Sequence, residues 1–84
     1  MPYAVYILQS DLHDRYYIGQ TENLHDRFKR HNAGTEKATA PFMPWILLWQ
    51  TEKSTRAEAV SLERKLKNLS RQRLMAFIEK YSKN

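Results

Sequence analysis

Residues 3–19 read Tyr3-Ala4-Val5-Tyr6-Ile7-Leu8-Gln9-Ser10-Asp11-Leu12-His13-Asp14-Arg15-Tyr16-Tyr17-Ile18-Gly19. Tyr3 to Leu8 is an unbroken apolar and aromatic run too short for a helix, which predicts a central strand covered on both faces. Ser10 to Asp14 carries the short polar side chains that favour turns, and Arg15 to Gly19 is a second β-prone run. Together they predict an antiparallel hairpin. Facing residue numbers in such a pair have a constant sum, and an even-length turn, Asp11 to Asp14 or Leu12-His13, makes that sum odd. Tyr6 and Tyr17 then share one face as diagonal neighbours.

Beyond Gly19, Asn23 or Thr21 can cap a helix running to about Asn32, with Leu24 and Phe28 as its core contact and Gly34 as its stop. Residues Gly34 to Pro44 lack periodicity and read as a loop of above-median length, a kind that often carries function. Trp45 to Gln50 is a third strand. Thr55 with Glu58 three residues on has the capping-box pattern, opening a helix whose apolar face is Ala59, Leu62, Leu66 and Leu69. Ser70 restarts the chain into a last helix with Leu74, Phe77, Ile78 and Tyr81 as its stripe. The order β-β-α-β-α-α predicts a small α+β domain, with helices packed on a three-stranded, mainly antiparallel sheet.

The 84 residues suffice for one domain, 1–84, and a chain of this size buries about two-thirds of the surface its unfolded form exposes. No repeat or Pro/Gly-rich linker divides it. Cysteine is absent, which excludes a disulfide framework and a thiolate zinc site. No segment approaches the length of an apolar membrane span, and a cytoplasmic protein is expected. The net charge of +5 is unevenly placed: from Lys53 onward nine Lys or Arg stand against three Glu, whereas residues 1–52 carry five against six. Such a basic segment suits either a solvated helix face or a surface that meets phosphates.

Candidate chemistry centres on a few side chains. Arg27 and His31 are spaced i,i+4 and leave one strip of the first helix; a guanidinium can bind phosphate in bidentate fashion and a nearby histidine can move a proton. Equally, Arg27 can pair with Asp26, Glu22 or Asp14, and His31 can be a surface residue at the helix end. Glu63 borders the apolar face of its helix without a capping role. It can pair with Lys67 at i,i+4, or anchor a hydrated divalent cation, which needs few protein ligands.

Ala4-Val5-Tyr6, ten residues before Tyr17-Ile18-Gly19, resembles the paired motifs of the GIY-YIG nuclease superfamily, with Ala4-Val5 in place of the first Gly-Ile. Tyr16-Tyr17-Ile18-Gly19-Gln20-Thr21, then Asn23-Leu24, Arg27 and His31-Asn32, is similar to the small stand-alone bacterial members of the UPF0213 type. Thr39, Pro44-Trp45 and Leu62 to Lys67 extend the likeness over roughly residues 3 to 75. The resemblance implies phosphodiester hydrolysis with one divalent metal ion, Mg or Mn. It assigns Tyr6 as general base or partner activating the attacking water, Tyr17 as the group orienting water or phosphate, Arg27 as stabiliser of the developing charge, His31 as an aid to proton transfer and Glu63 as metal ligand. On this reading cationic neighbours lower the pKa of Tyr6. Arg30, Lys37, Arg64 and Lys67 are the candidate nucleic-acid contacts, with DNA the expected substrate and a protein partner able to supply specificity. A non-catalytic nucleic-acid-binding module and a partner-dependent interaction domain are the alternatives. Asn68 is left unassigned, because helical geometry puts it about 140° from Glu63.

Overall fold

The computed structural model describes residues 2–82; Lys83 of the basic C-terminal segment lies outside them. Three strands, β1 (Tyr3–Ser10), β2 (Tyr16–Thr21) and β3 (Trp45–Lys53), and three helices, α1 (Leu24–Ala33), α2 (Arg56–Lys67) and α3 (Arg71–Tyr81), follow the predicted order, with a 3-10 turn at Ala40–Phe42. The sheet is antiparallel in the order β2-β1-β3. β1 is therefore hydrogen-bonded on both sides, and its continuous apolar sequence is explained by helices on both faces. Val5 and Ile7 point to one face and pack with Ile18, Ala59, Leu66, Leu74 and Ile78, while Tyr6 and Leu8 point to the other and pack with Trp45, Leu24 and Phe28.

The hairpin turns through Asp11 to Asp14, and its facing pairs, Tyr6 with Gly19 and Leu8 with Tyr17, have the odd sum that places both tyrosines on one face. β3 runs three residues past the predicted Gln50, through Thr51, Glu52 and Lys53. Its outer edge is unpaired, so polar and charged side chains are tolerated there. The register against β1 shifts between Ile7 and Leu8, and the extra residue lets Leu48 and Trp49 both face the α2/α3 core.

Local rules account for the helix ends. Asn23, not Thr21, caps α1 by accepting from the Asp26 N–H, and Gly34 closes it in the left-handed region at φ 78°. Thr55 and Glu58 form both arms of the capping box, and Ser70 caps α3. Tyr81, expected in the apolar stripe of α3, is instead exposed: it stacks on Phe77 at the rim, with its ring centroid 4.7 Å away. Arg71, at the start of α3, bonds the carboxylate and carbonyl of Asp14 and lies over the Tyr16 ring, tying the hairpin turn to the last helix.

The loop from Gly34 to Pro44, opaque in the sequence, is pinned along its length. Ser10 Oγ donates to the Phe42 carbonyl at 2.7 Å, and the Asp11 N–H donates to the Pro44 carbonyl at 2.9 Å. The Met43-Pro44 peptide is cis. Asn32 grips the backbone of Trp45 from both sides, accepting its N–H at 2.6 Å and donating to its carbonyl at 3.0 Å. The end of α1 and the start of β3 are thereby joined.

Gly19 matters for a packing reason. A Cβ there would lie 2.6 Å from Tyr6 Oη and 2.7 Å from Tyr6 Cζ, because the Tyr6 ring rests on the Gly19 backbone across the strand pair. Gly19→Ala is expected to lower stability by about 1–3 kcal/mol through overpacking, read as a shift in the urea midpoint. A wild-type midpoint would mean that the ring does not sit there.

Candidate active site

Because β2 is an edge strand, side chains from both of its faces reach one opening. Tyr17 and Gly19 come from the face under α1, and Gln20 from the face under α2. With Arg27 of α1, Glu63 and Arg56 of α2, Tyr3 of β1, and Thr21, Glu22 and Asn23 of the β2–α1 junction, they line a cleft of about 420 Å³. Three of the predicted residues, Tyr17, Arg27 and Glu63, thus converge from three separate elements.

The other two lie behind the cleft. Tyr6 and His31 are both fully buried, at 0% exposure. Tyr6 Oη and His31 Nε2 are 2.9 Å apart, and His31 Nδ1 is 2.8 Å from Thr39 Oγ1. The Tyr17 ring packs against both, its centroid 4.8 Å from His31 and 6.2 Å from Tyr6. His31 is therefore no surface residue at a helix end. It faces inward because i,i+4 spacing sets it on the Arg27 strip, which lies over the sheet.

Electrostatics corrects one expectation. Burial drives the Tyr6 phenol well above the ordinary phenolic range, and nearby Tyr17 adds to the rise; the Arg27 guanidinium pulls the other way without prevailing. Tyr6 is a neutral hydroxyl at physiological pH. His31 is pushed below the ordinary imidazole value, chiefly by burial, with Arg27 adding to the effect and Glu36 opposing it. It is a neutral imidazole, able to accept a proton.

Among the described residues Arg27 forms no ion pair with Asp26, Glu22 or Asp14: Asp26 bridges Arg30 at 3.3 Å, and Asp14 is held by Arg71. Its guanidinium is left facing the cleft. Glu63 does make the i,i+4 pair with Lys67, at 2.9 Å, yet stays in the cleft wall, its side chain only 19% exposed. Among the described residues no three acidic or histidine side chains converge. The Glu63 carboxylate in this polar cleft, which Glu22 also lines, still suits a hard cation such as Mg²⁺ or Mn²⁺, which retains several waters and takes phosphate oxygens as further ligands.

Of the candidate nucleic-acid contacts, Arg64 and Lys67 border a hollow next to the cleft, sharing Glu63 as a wall. Arg30 and Lys37 are exposed but line neither opening. Asn68, the C-cap of α2, borders the same hollow as Glu63. Arg56 escaped the sequence reading, and Thr39 enters it only through the family likeness, without a role. Arg56, the first residue of α2, reaches the cleft because of how α2 crosses β2, for which the sequence holds no local signal. Thr39 is 1% exposed in a polar loop, and its burial depends on Trp45, whose indole N–H donates to the Thr39 carbonyl at 2.9 Å.

The profile of the GIY-YIG catalytic domain matches residues 2–81. A UPF0213 protein of Staphylococcus haemolyticus (strain JCSC1435) is 38% identical over 64 residues, covering 75% of this chain and 78% of that protein. One from Streptococcus sanguinis (strain SK36) is 35% identical over 69 residues, covering 81% and 79%. The solution NMR structure of a UPF0213 protein from Bacillus halodurans superposes with a TM-score of 0.64 at 28% identity, covering 96% of this chain and 86% of that one.

Buried neutral imidazole links stability to pH. With a folded pKa below the unfolded value of about 6.5, protons bind the unfolded chain preferentially as the pH falls through that value, so stability present above it is progressively lost below. The urea midpoint of the wild type should fall between pH 7.5 and 5.5, and that of His31→Gln should fall less. Parallel pH dependences would contradict a buried neutral His31.

Proposed function

This chain belongs to the GIY-YIG catalytic-domain family, and from that premise we propose that it is a metal-dependent endonuclease that hydrolyses phosphodiester bonds in nucleic acid, with DNA as the first candidate. The observation that carries the reading is the convergence of Tyr17, Arg27 and Glu63 on one cleft, backed by the Tyr6–His31 hydrogen bond.

In this mechanism Arg27 binds the scissile phosphate and stabilises the charge that develops on its oxygens. Glu63 would hold a divalent cation, Mg or Mn, which when bound would supply positive charge against the phosphate oxygens. Tyr17, half-buried in the cleft wall, orients the attacking water. Tyr6 acts as a neutral relay behind the cleft wall: a proton that reaches its oxygen from the cleft side is matched by passage of its own proton to His31 Nε2. A phenolate is never required, so the raised pKa of Tyr6 does not obstruct the step. A neutral His31 is the form that can receive the proton.

The substrate strand would continue from Arg27 past Glu63 toward Arg64 and Lys67, which contact flanking phosphates, while Arg30 and Lys37 add longer-range attraction. This small set of exposed cations carries no evident base-reading surface. A protein partner would supply the structural or sequence specificity.

Labelled single-stranded, duplex, flap and branched DNA, and RNA, incubated with Mg²⁺ or Mn²⁺, test the proposal. Wild type should cleave at least one substrate, and Glu63→Gln, Arg27→Ala and His31→Gln should each lower kcat by about 10²–10⁴-fold. Salt-sensitive binding without cleavage of any substrate would sink the enzyme reading of the isolated chain. Wild-type rates for Glu63→Gln would remove the metal assignment.

A further inference from the structure

The geometry points to Thr39 as the positioning residue of the proton relay, holding His31 as the Nδ1–H tautomer so that Nε2 is an acceptor aimed at Tyr6. It rests on the functional reading above only for its catalytic consequence, since the tautomer itself is a property of the resting protein.

Donor and acceptor accounting carries the inference. The buried Tyr6 hydroxyl has His31 Nε2 as its hydrogen-bond partner at 2.9 Å, and the nearby Arg27 guanidinium has only N–H groups to offer. Among the described residues the acceptor that hydrogen-bond geometry gives the Tyr6 proton is Nε2. A neutral imidazole whose Nε2 accepts carries its proton on Nδ1, and that proton needs an acceptor in a region closed to water. Thr39 Oγ1, 2.8 Å away, is that acceptor, while its own proton is directed to the Glu36 carbonyl at 3.4 Å. The reverse arrangement, with Nε2 protonated, would leave the Tyr6 proton buried without a partner.

Thr39 is held for this task by contacts that avoid the cleft. Its N–H donates to the Glu36 carbonyl at 3.1 Å; its carbonyl receives the Trp45 indole N–H at 2.9 Å and the Phe42 N–H at 3.1 Å. As His31 takes up a proton at Nε2, the positive charge spreads to Nδ1–H, and the Thr39 oxygen is already in place to stabilise it. A hydroxyl is the requirement; the methyl is not.

Two-bond ¹H–¹⁵N correlation spectra at pH 8 of protein labelled at histidine test the assignment, with the His31 signals identified by their loss in His31→Gln. Wild type should give the Nδ1–H pattern. Thr39→Val should shift His31 toward Nε2–H and lower kcat about 10- to 100-fold with KM little changed, and Thr39→Ser should restore both. An Nε2–H pattern in wild type overturns the assignment without recourse to any variant, so a Thr39→Val protein that fails to fold does not rescue it. Thr39→Val that keeps the wild-type tautomer and rate overturns it as well. The predicted tautomers in a protein that cleaves nothing would uphold the role of Thr39 while removing the nuclease reading.

Discussion

Tyr6 lies over the backbone of Gly19, and the rest of the site is arranged around that contact. The ring fits only because position 19 has no side chain, and once seated it carries its hydroxyl to His31 on the underside of α1. The pairing of a tyrosine on one strand with a glycine facing it on the next is thus a single steric unit, not two separate sequence marks. It depends on the odd register of the hairpin: a slip of one residue would turn Tyr6 to the opposite face of the sheet and leave His31 with an unanswered nitrogen.

That buried pair also shows how the site divides its labour. The cleft itself is polar, with Arg27, Arg56, Glu22 and Glu63 balancing two positive against two negative charges. Directly behind it sits a layer of neutral hydrogen-bonding groups, Tyr6, His31 and Thr39, from which water is excluded. Under the proposed function, charge would recognise the substrate at the surface and proton movement would belong to the dry layer, where a hydrogen bond is electrostatically stronger than in water.

Much of this was legible in the sequence because it is governed by local rules. The apolar run of β1, the Thr55–Glu58 capping box, the Asn23 cap and the Gly34 stop are set by residues within a few positions of one another, and parity alone put Tyr6 and Tyr17 on one face. The joint order of Tyr6, Tyr17, Arg27 and Glu63 then identified a family. What escaped depends on contacts far apart along the chain. His31 read equally as a helix-end surface residue and as a proton-transfer group, and what the sequence could not show is that Thr39 and Tyr6 close over it. Arg56 enters the cleft through the crossing of α2 over β2, and the bulge at Leu48 turns it and Trp49 toward the α2/α3 core. The balance at Tyr6 was hidden for the same reason: Arg27 could be foreseen as a neighbour, but the depth of burial that outweighs it could not.

The pinning of the segment between α1 and β3 has a consequence for how the chain can vary. Surface loops ordinarily accept insertions and deletions at small cost, and this one, eleven residues from Gly34 to Pro44, looks like such a spacer. Yet Thr39 is fastened to His31, Phe42 to Ser10, Pro44 to Asp11 and Trp45 to Asn32. Its length is a gauge set by four anchors, and the residues before them are tied as well, Thr35 to the Arg30 carbonyl and Glu36, through its own carbonyl, to Thr39 and Ala40. A segment without regular structure is here as intolerant of a change in length as a strand in the middle of a sheet.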